Sequence, residues 1–408
     1  MLTFLYLAYF TGHTVINISD KRIEDAIVPV FRLAFRPFFL LGASYAAIAI
    51  TVWVWMFQTG QPTMLQVPAL WWHAHEMVFG FSMAIVVGFV LTAVQNWTGI
   101  NGTKSYRLAL LVNLWILPRL LFWTESPLWL IAAIESLFIA VVAYETGARV
   151  IKAKGWRNAF FIPLFALALL ANLASYASLQ DIGPFSSSDV WLAMLWWFTI
   201  LLSVMGARVI PFFTARRLNT LKPSAILWLE VLAILPLLVL FNLSFLPTEF
   251  AHLEQVMMLV SGIAHLVIVI RWQPWRTYRE PLLWSLHLAY FCIPLSLILR
   301  AELSHMFAAH NMLHLFVIGA LGGLILSMIT RVTMGHTGRS IYQGPSMAIG
   351  FAALMIAAIV RSVGVTLWPE KLILLLDISG FLWVLAFTIY LAKFGFMLVT
   401  ARVDGHPG

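Results

Sequence analysis

Apolar residues run along this chain in stretches of about 20, the length a helix needs to cross the hydrocarbon of a bilayer, and short polar segments separate them. In the first half the stretches lie near 37–57, 71–96, 106–123, 127–147, 158–180 and 189–213. The second half repeats the pattern near 224–246, 250–271, 281–300, 306–331, 345–367 and 371–400. This pattern predicts an all-α polytopic membrane protein of twelve transmembrane helices, with successive helices antiparallel because the connections are short. The expected organisation is an N-terminal cytoplasmic or interfacial segment (1–36), one transmembrane domain (37–400) and a cytoplasmic tail (401–408). Met1–Phe10 is apolar but too short to span, has no basic residues before it and no small-residue cleavage site after it, and is left unassigned.

Composition supports the same class. Of the 408 residues 62% are hydrophobic and 10% are charged, with a mean hydropathy of +0.91. A soluble domain is about half apolar and a quarter charged, so a cytosolic globular enzyme, a disordered chain and a disulfide scaffold are excluded. The single cysteine, Cys292, permits no internal disulfide and no cysteine-based zinc or iron–sulfur site.

The net charge of +8 could suggest nucleic acid, but in a membrane protein it reads as orientation. With both termini cytoplasmic, all but four of the 25 Lys and Arg residues fall on the inner side. The exceptions are Arg119, Arg300, Arg361 and Lys371. Eleven spans would break this alternation. No nucleic-acid partner is expected; the expected partner is membrane lipid.

Eleven histidines stand out in so apolar a chain, because imidazole ligates metals and haem. On the predicted topology His73 and His75 lie at the outer end of span 2, and His310 and His314 in the outer part of span 10. His265 and His287 sit in the inner third of spans 8 and 9, and His336 just past the inner end of span 10. His252 and His305 start helices on the outer side; His13 and His406 are in the tails. His310 and His314, four residues apart, share a helix face. His73 and His75, two apart, point about 200° from one another on a regular helix, where one would ligate and the other meet a different partner; both face one cofactor only if the first turn is irregular, which a helix start permits. A histidine at a helix end is ordinarily just an interfacial hydrogen-bonding residue; four of them on one side, on two helices, weaken that explanation. Glu76 beside the pair is the best functional candidate among the intramembrane acids Glu76, Glu135, Glu230, Glu254 and Asp377. The others read as structural partners, Glu135 with Arg119 for instance.

Spans 2, 6 and 10 all descend to the inner side and end in polar or basic sequence. Arg208 and Arg331, at the membrane edge with Gly or Pro nearby, suit an anion such as a haem propionate, or a quinone carbonyl. Snorkelling is the simpler account of Arg216 and Arg217.

The motifs together resemble the NnrS family. They comprise Arg36-Pro37-Phe38-Phe39, Trp72-His73-Ala74-His75-Glu76-Met77, the run Leu91–Gly99 and Arg208-Val209-Ile210-Pro211-Phe212-Phe213-Thr214. Glu280-Pro281-Leu282-Leu283-Trp284 with His287, Leu313-His314 with Gly319-Ala320, and Thr330-Arg331 with Gly335-His336-Thr337-Gly338-Arg339 extend the match in order from about residue 30 to 340. Gln95 stands where many members have proline, and His265 and His310 have no counterpart in these motifs.

The resemblance implies a bacterial inner-membrane protein that carries haem and copper and serves nitric oxide metabolism, denitrification and resistance to nitrosative stress. Its small-molecule partner would be nitric oxide or a related ligand, and a quinone or another redox protein a further one. The depth argument assigns haem to His73, His75 and His314 with Arg208 and Arg331, and a metal to His310, His287, His336 and Glu76. Copper would take the second histidine of the outer pair or the inner group of His265, His287 and His336. By analogy, haem–copper oxidases also carry haem histidines on their second and tenth spans. Spans 6 and 7 here hold no histidine, which argues against a full binuclear centre. The competing reading is a twelve-helix secondary transporter without haem. Against it stand the lack of a clear two-half repeat and the clustering of ionisable residues near the two faces.

Overall fold

In hydrocarbon every backbone N–H and C=O must find its partner inside the protein, which leaves the helix as the natural form for an apolar chain. The computed structural model describes residues 21–62, 64–246, 250–303 and 308–408, and among these it contains helices and no strand. Met1–Phe10, His13 and His305, to which expectations were attached above, lie outside the described residues.

The main helices follow the apolar stretches closely. They are α1 (Phe35–Thr59), α2 (Ala69–Thr98), α3 (Tyr106–Leu121), α4 (Leu128–Lys152), α5 (Phe161–Ser178) and α6 (Ser187–Leu218). The second half holds α7 (Leu227–Leu243), α8 (Ala251–Arg271), α9 (Pro281–Glu302), α10 (Ala309–His336), α11 (Ala348–Leu367) and α12 (Leu372–Val399). Ten helices among the described residues are long and apolar enough to cross a membrane. α3 and α7, with 16 and 17 residues, are shorter than that length.

Local chemistry sets several of the ends. Ser186 accepts from the Asp189 amide while the Asp189 carboxylate accepts from the Ser186 amide, a capping box that opens α6. Gly99 takes a left-handed conformation (φ 68°) to close α2, where a side chain would be strained.

Burial sorts the helices into layers. In α2 and α10, 83% and 72% of the most apolar window is buried, against 33% in α1 and 28% in α12. α2 and α10 therefore form the interior, and α1 and α12 pack side by side at its flank. Trp383 of α12 donates its indole N–H to the Ala46 carbonyl of α1 at 3.0 Å. Close approach needs small residues: a Cβ on Gly323 of α10 would sit 2.8 Å from the Ala289 Cβ of α9.

Arg36, counted above among the inner-side charges, is fully buried at the first turn of α1. Its Nη1 donates to the carbonyls of Leu398 (3.1 Å) and Thr400 (2.6 Å), with Met397 at 3.3 Å. A guanidinium against the last carbonyls of α12 satisfies acceptors that the helix itself cannot, and opposes the negative end of its dipole. Replacing Arg36 with Met leaves these buried carbonyls without a donor. The expected cost is about 3 kcal/mol, read as a melting temperature several degrees lower in detergent, with Arg36→Lys recovering part of it. An unchanged melting temperature for Arg36→Met would mean the clamp contributes nothing.

Candidate functional site

The histidines of α2 belong to a regular helical segment, Ala69–His75, which begins after Pro68. Over Glu76–Ser82 the helix widens into a π-helical turn before returning to α geometry at Met83. Two residues apart on the regular part, His73 and His75 face different neighbours. His73 stacks on Trp53 of α1, with ring centroids 4.3 Å apart and planes 14° from parallel. His75 packs among Trp71, Phe79, Tyr176 and Trp191.

His75 stands at the centre of a buried ionic cluster. Its Nδ1 lies 2.9 Å from Glu76 Oε1 in a hydrogen bond. Its Nε2 lies 2.9 Å from Glu135 Oε2, an ion-pair contact whose direction is poor for a hydrogen bond. Arg119 of α3 bridges the two acids, with Nε 3.1 Å from Glu76 Oε2 and Nη2 in contact with Glu135 Oε1. The Tyr45 hydroxyl donates to Glu76 Oε2 at 2.5 Å, and that of Tyr176 to Glu135 Oε2 at 2.9 Å. Trp115 donates its indole N–H to the Gly80 carbonyl within the π turn. With carboxylate oxygens at both ring nitrogens, His75 fits as an imidazolium with two donors; two acids then face two cations and the cluster is neutral. Gly80 leaves room for it, since a Cβ there would lie 2.6 Å from Glu76 Oε2 and 2.8 Å from the Tyr45 ring.

Among the described residues, His75, Glu76 and Glu135 form the one group of histidines and acids close enough to share a metal ion. One nitrogen and two carboxylates are not the soft set that selects Cu(I). Arg119 also holds a positive charge against both acids, where an ion's charge would otherwise go. Cu(I) therefore does not suit this cluster as it stands, where Glu76 is the ionic partner of Arg119.

A second set of unpaired groups lies nearby. α10 also turns π-helical just after its histidine, over Leu315–Gly322, and α11 does so over Val360–Gly364 around Arg361. The Nδ1 atoms of His73 and His314 are buried without a hydrogen-bond partner. The His314 ring lies close to the backbone carbonyls of His310 and Asn311. Both rings remain half-buried. His73, His314 and Arg361 lie within electrostatic reach of one another. Arg361 Nη1 is buried without a partner, and among the described residues no carboxylate lies at ion-pair distance from that side chain.

The remaining candidates are dispersed. His310 is exposed, one turn before His314. His265 is held between the Ser203 hydroxyl (2.7 Å from Nε2) and the Ser261 carbonyl (2.8 Å from Nδ1), as a satisfied core histidine. His287 meets Thr214 through Nε2 at 2.9 Å and leaves Nδ1 unpartnered. His336 packs against Phe35, and Arg402 donates to its backbone carbonyl. The inner group of His265, His287 and His336 is therefore not assembled into a metal site, because each ring faces a different neighbour. Arg208 lies over Phe160, with weak bonds to Asn158 (3.4 Å) and the Arg157 carbonyl (3.5 Å). Arg331 is 5% exposed, lies 3.7 Å over the Phe213 ring and donates to the Tyr342 hydroxyl at 2.6 Å; its Nε and Nη1 are unpartnered.

Three residues gain importance that spacing did not give them. Arg119 and Glu135 were expected to pair, but not to enclose Glu76 and His75; their similar depth on adjacent spans was the available signal. Arg361 counted only as an outer-side charge, although it interrupts the apolar run Ile356–Val365.

Removal of one cation tests the ionic cluster. Arg119→Met leaves Glu76 and Glu135 buried with too little positive charge, and the expected loss is roughly 3–5 kcal/mol. The double variant Arg119→Met/Glu76→Gln should recover part of that stability in thermal unfolding. A single variant as stable as the parent would show that charge balance is not what holds these helices.

No curated protein matches the chain. The family model described as NnrS protein matches residues 29–402, from before α1 to just after α12, and so takes in both histidine sites. By that match, spanning nearly all of its 408 residues, the chain belongs to the NnrS family.

Proposed function

We propose that this protein is a haem-bearing component of the nitric-oxide response in the bacterial inner membrane. In this reading α3 and α7 complete twelve crossings, both termini are cytoplasmic and the haem lies toward the outer face, where α2 and α10 begin. The observation that supports haem most directly is the pairing of His73 and His314. They come from the two innermost helices, carry buried ring nitrogens without partners and share the neighbourhood of one uncompensated arginine. The family supplies the link to nitric oxide.

These residues suit the group: imidazole is the commonest axial haem ligand, and an arginine complements an acid substituent of the macrocycle. Held by His73 and His314, haem would supply an iron able to carry electrons or to take a small diatomic ligand. The protein contributes a different kind of control. Trp53 stacked on His73 limits rotation of that ring. His75 does not share this role, because both its ring nitrogens already face acids. Copper finds no comparable set: His287 and His336 stand apart, and Arg119 occupies the neighbourhood of the His75 group. At the inner end Arg331, with two unpartnered nitrogens, is the candidate contact for a quinone or another redox partner.

Optical spectra of the purified protein, oxidised, reduced and reduced in the presence of nitric oxide, test this together with metal analysis. Haem bands are expected in the parent. His73→Ala and His314→Ala are each expected to lose most of the bound haem, while His265→Ala keeps it. Undiminished haem in His314→Ala would remove the assignment, and a colourless parent after expression with ample haem would favour a carrier.

A further inference from the structure

Among the described residues no acid lies at ion-pair distance from Arg361. It lies in α11 about four residues inside the start of the terminal α turn, in a run otherwise made of Ile, Ala, Val, Gly and Ser. An ionised side chain at such depth is costly unless it is paired or reaches water. Other arginines described above have partners: Arg36 its carbonyls, Arg119 two acids, Arg208 Asn158, Arg331 a tyrosine hydroxyl and an aromatic face. Arg361 is half-buried with Nη1 enclosed, and its electrostatic neighbours are His73 and His314, neither of which can neutralise it.

Its backbone is well held. Ser362 donates to the Ala358 carbonyl and Thr366 to that of Ser362, across the π turn. Asn311 of α10 donates to the Thr366 hydroxyl at 3.2 Å, tying α11 to α10 one turn before His314. The turn that bears Arg361 is thus held against the turn that bears His314 by a defined contact between helices.

A cation with an unpartnered Nη1, within electrostatic reach of two histidines whose Nδ1 atoms are also unpartnered, calls for one ligand that offers both a metal and an acid. We propose that Arg361 is the counter-charge for a carboxylate of the macrocycle bound by His73 and His314, which makes it a binding residue that selects acid-bearing porphyrins. The proposal rests on the haem reading above. A guanidinium pairs with a carboxylate through two parallel N–H donors, a geometry a lysine ammonium cannot reproduce.

The test uses the full chain, expressed without haem supplementation, and titrates iron protoporphyrin IX and its dimethyl ester by their optical bands. The ester keeps the iron and the ring but lacks both acids. The parent should bind the free acid about tenfold or more tightly than the ester, in line with one charge-assisted pair. Arg361→Gln should bind both alike, at the parent's affinity for the ester, and Arg361→Lys should fall between. Haem-loaded Arg361→Gln should also give up haem to apomyoglobin faster by a similar factor, with its melting temperature showing that it folds. A parent that binds both porphyrins equally would overturn the proposal and leave the haem reading intact, as would an Arg361→Gln variant that keeps the preference. If equal binding is joined by an Arg361-dependent spectral response to nitrite, the arginine serves a free oxyanion and the proposal fails. A parent that binds neither porphyrin removes the haem reading and this proposal with it.

Discussion

Charge that has been taken out of water must be answered within the protein, and the cluster of Arg119, Glu76, Glu135 and His75 does so at one point where five helices meet. Tyr45 comes from α1, His75 and Glu76 from α2, Arg119 from α3, Glu135 from α4 and Tyr176 from α5. Apolar packing between helices in a bilayer is permissive, because a lipid tail competes equally well for the same surface. Ionic contacts are not permissive: a shift of one helix leaves an acid or a guanidinium unanswered. The cluster therefore fixes the first five helices relative to one another, and with them the entry of α2, where His73 projects the other way toward Trp53.

The two neighbouring histidines show how one short segment serves two ends. His75 is consumed by the ionic cluster, with an acid at each ring nitrogen. His73 is placed by that same helix turn but left without a polar partner on Nδ1. Rigidity on one face supports an available imidazole on the other, which is how a ligand-binding residue is best held. On α10, His314 has no comparable ionic anchor; its position comes from Asn311 and the close packing of the glycine-rich turn against α9 and α11.

Much of the helical layout could be read from the chain because bilayer thickness dictates the length of each apolar run, as with α4, α9 and α11. The i,i+2 spacing of His73 and His75 was enough to separate their faces. It could not say which neighbours those faces would meet, since that depends on contacts with Glu135 and Trp53, distant in sequence. Arg119 with Glu135 was expected from their depth on adjacent spans, whereas the recruitment of His75 needed three dimensions. The inner histidines show the opposite case: His265, His287 and His336 share a depth, but Ser203, Thr214 and Phe35 take them in separate directions. Arg361 was obscured for a simpler reason, namely that charge counting treats a residue near a helix end as part of the loop. The π-helical turns have no firm signature in residue type, although Gly80, Gly319 and Gly322 lie within them.

Those turns have a mechanical consequence. Each widened turn takes up extra chain, and one residue more or less rotates everything beyond it by about 100°. The part of α2 that bears His73, the part of α10 that bears His314 and the Arg361 turn of α11 are thus set in azimuth independently of the packed lengths of the same helices. The direction of each ring is therefore set by where its wide turn falls, so the bundle serves as a rigid chassis that carries three separately indexed heads.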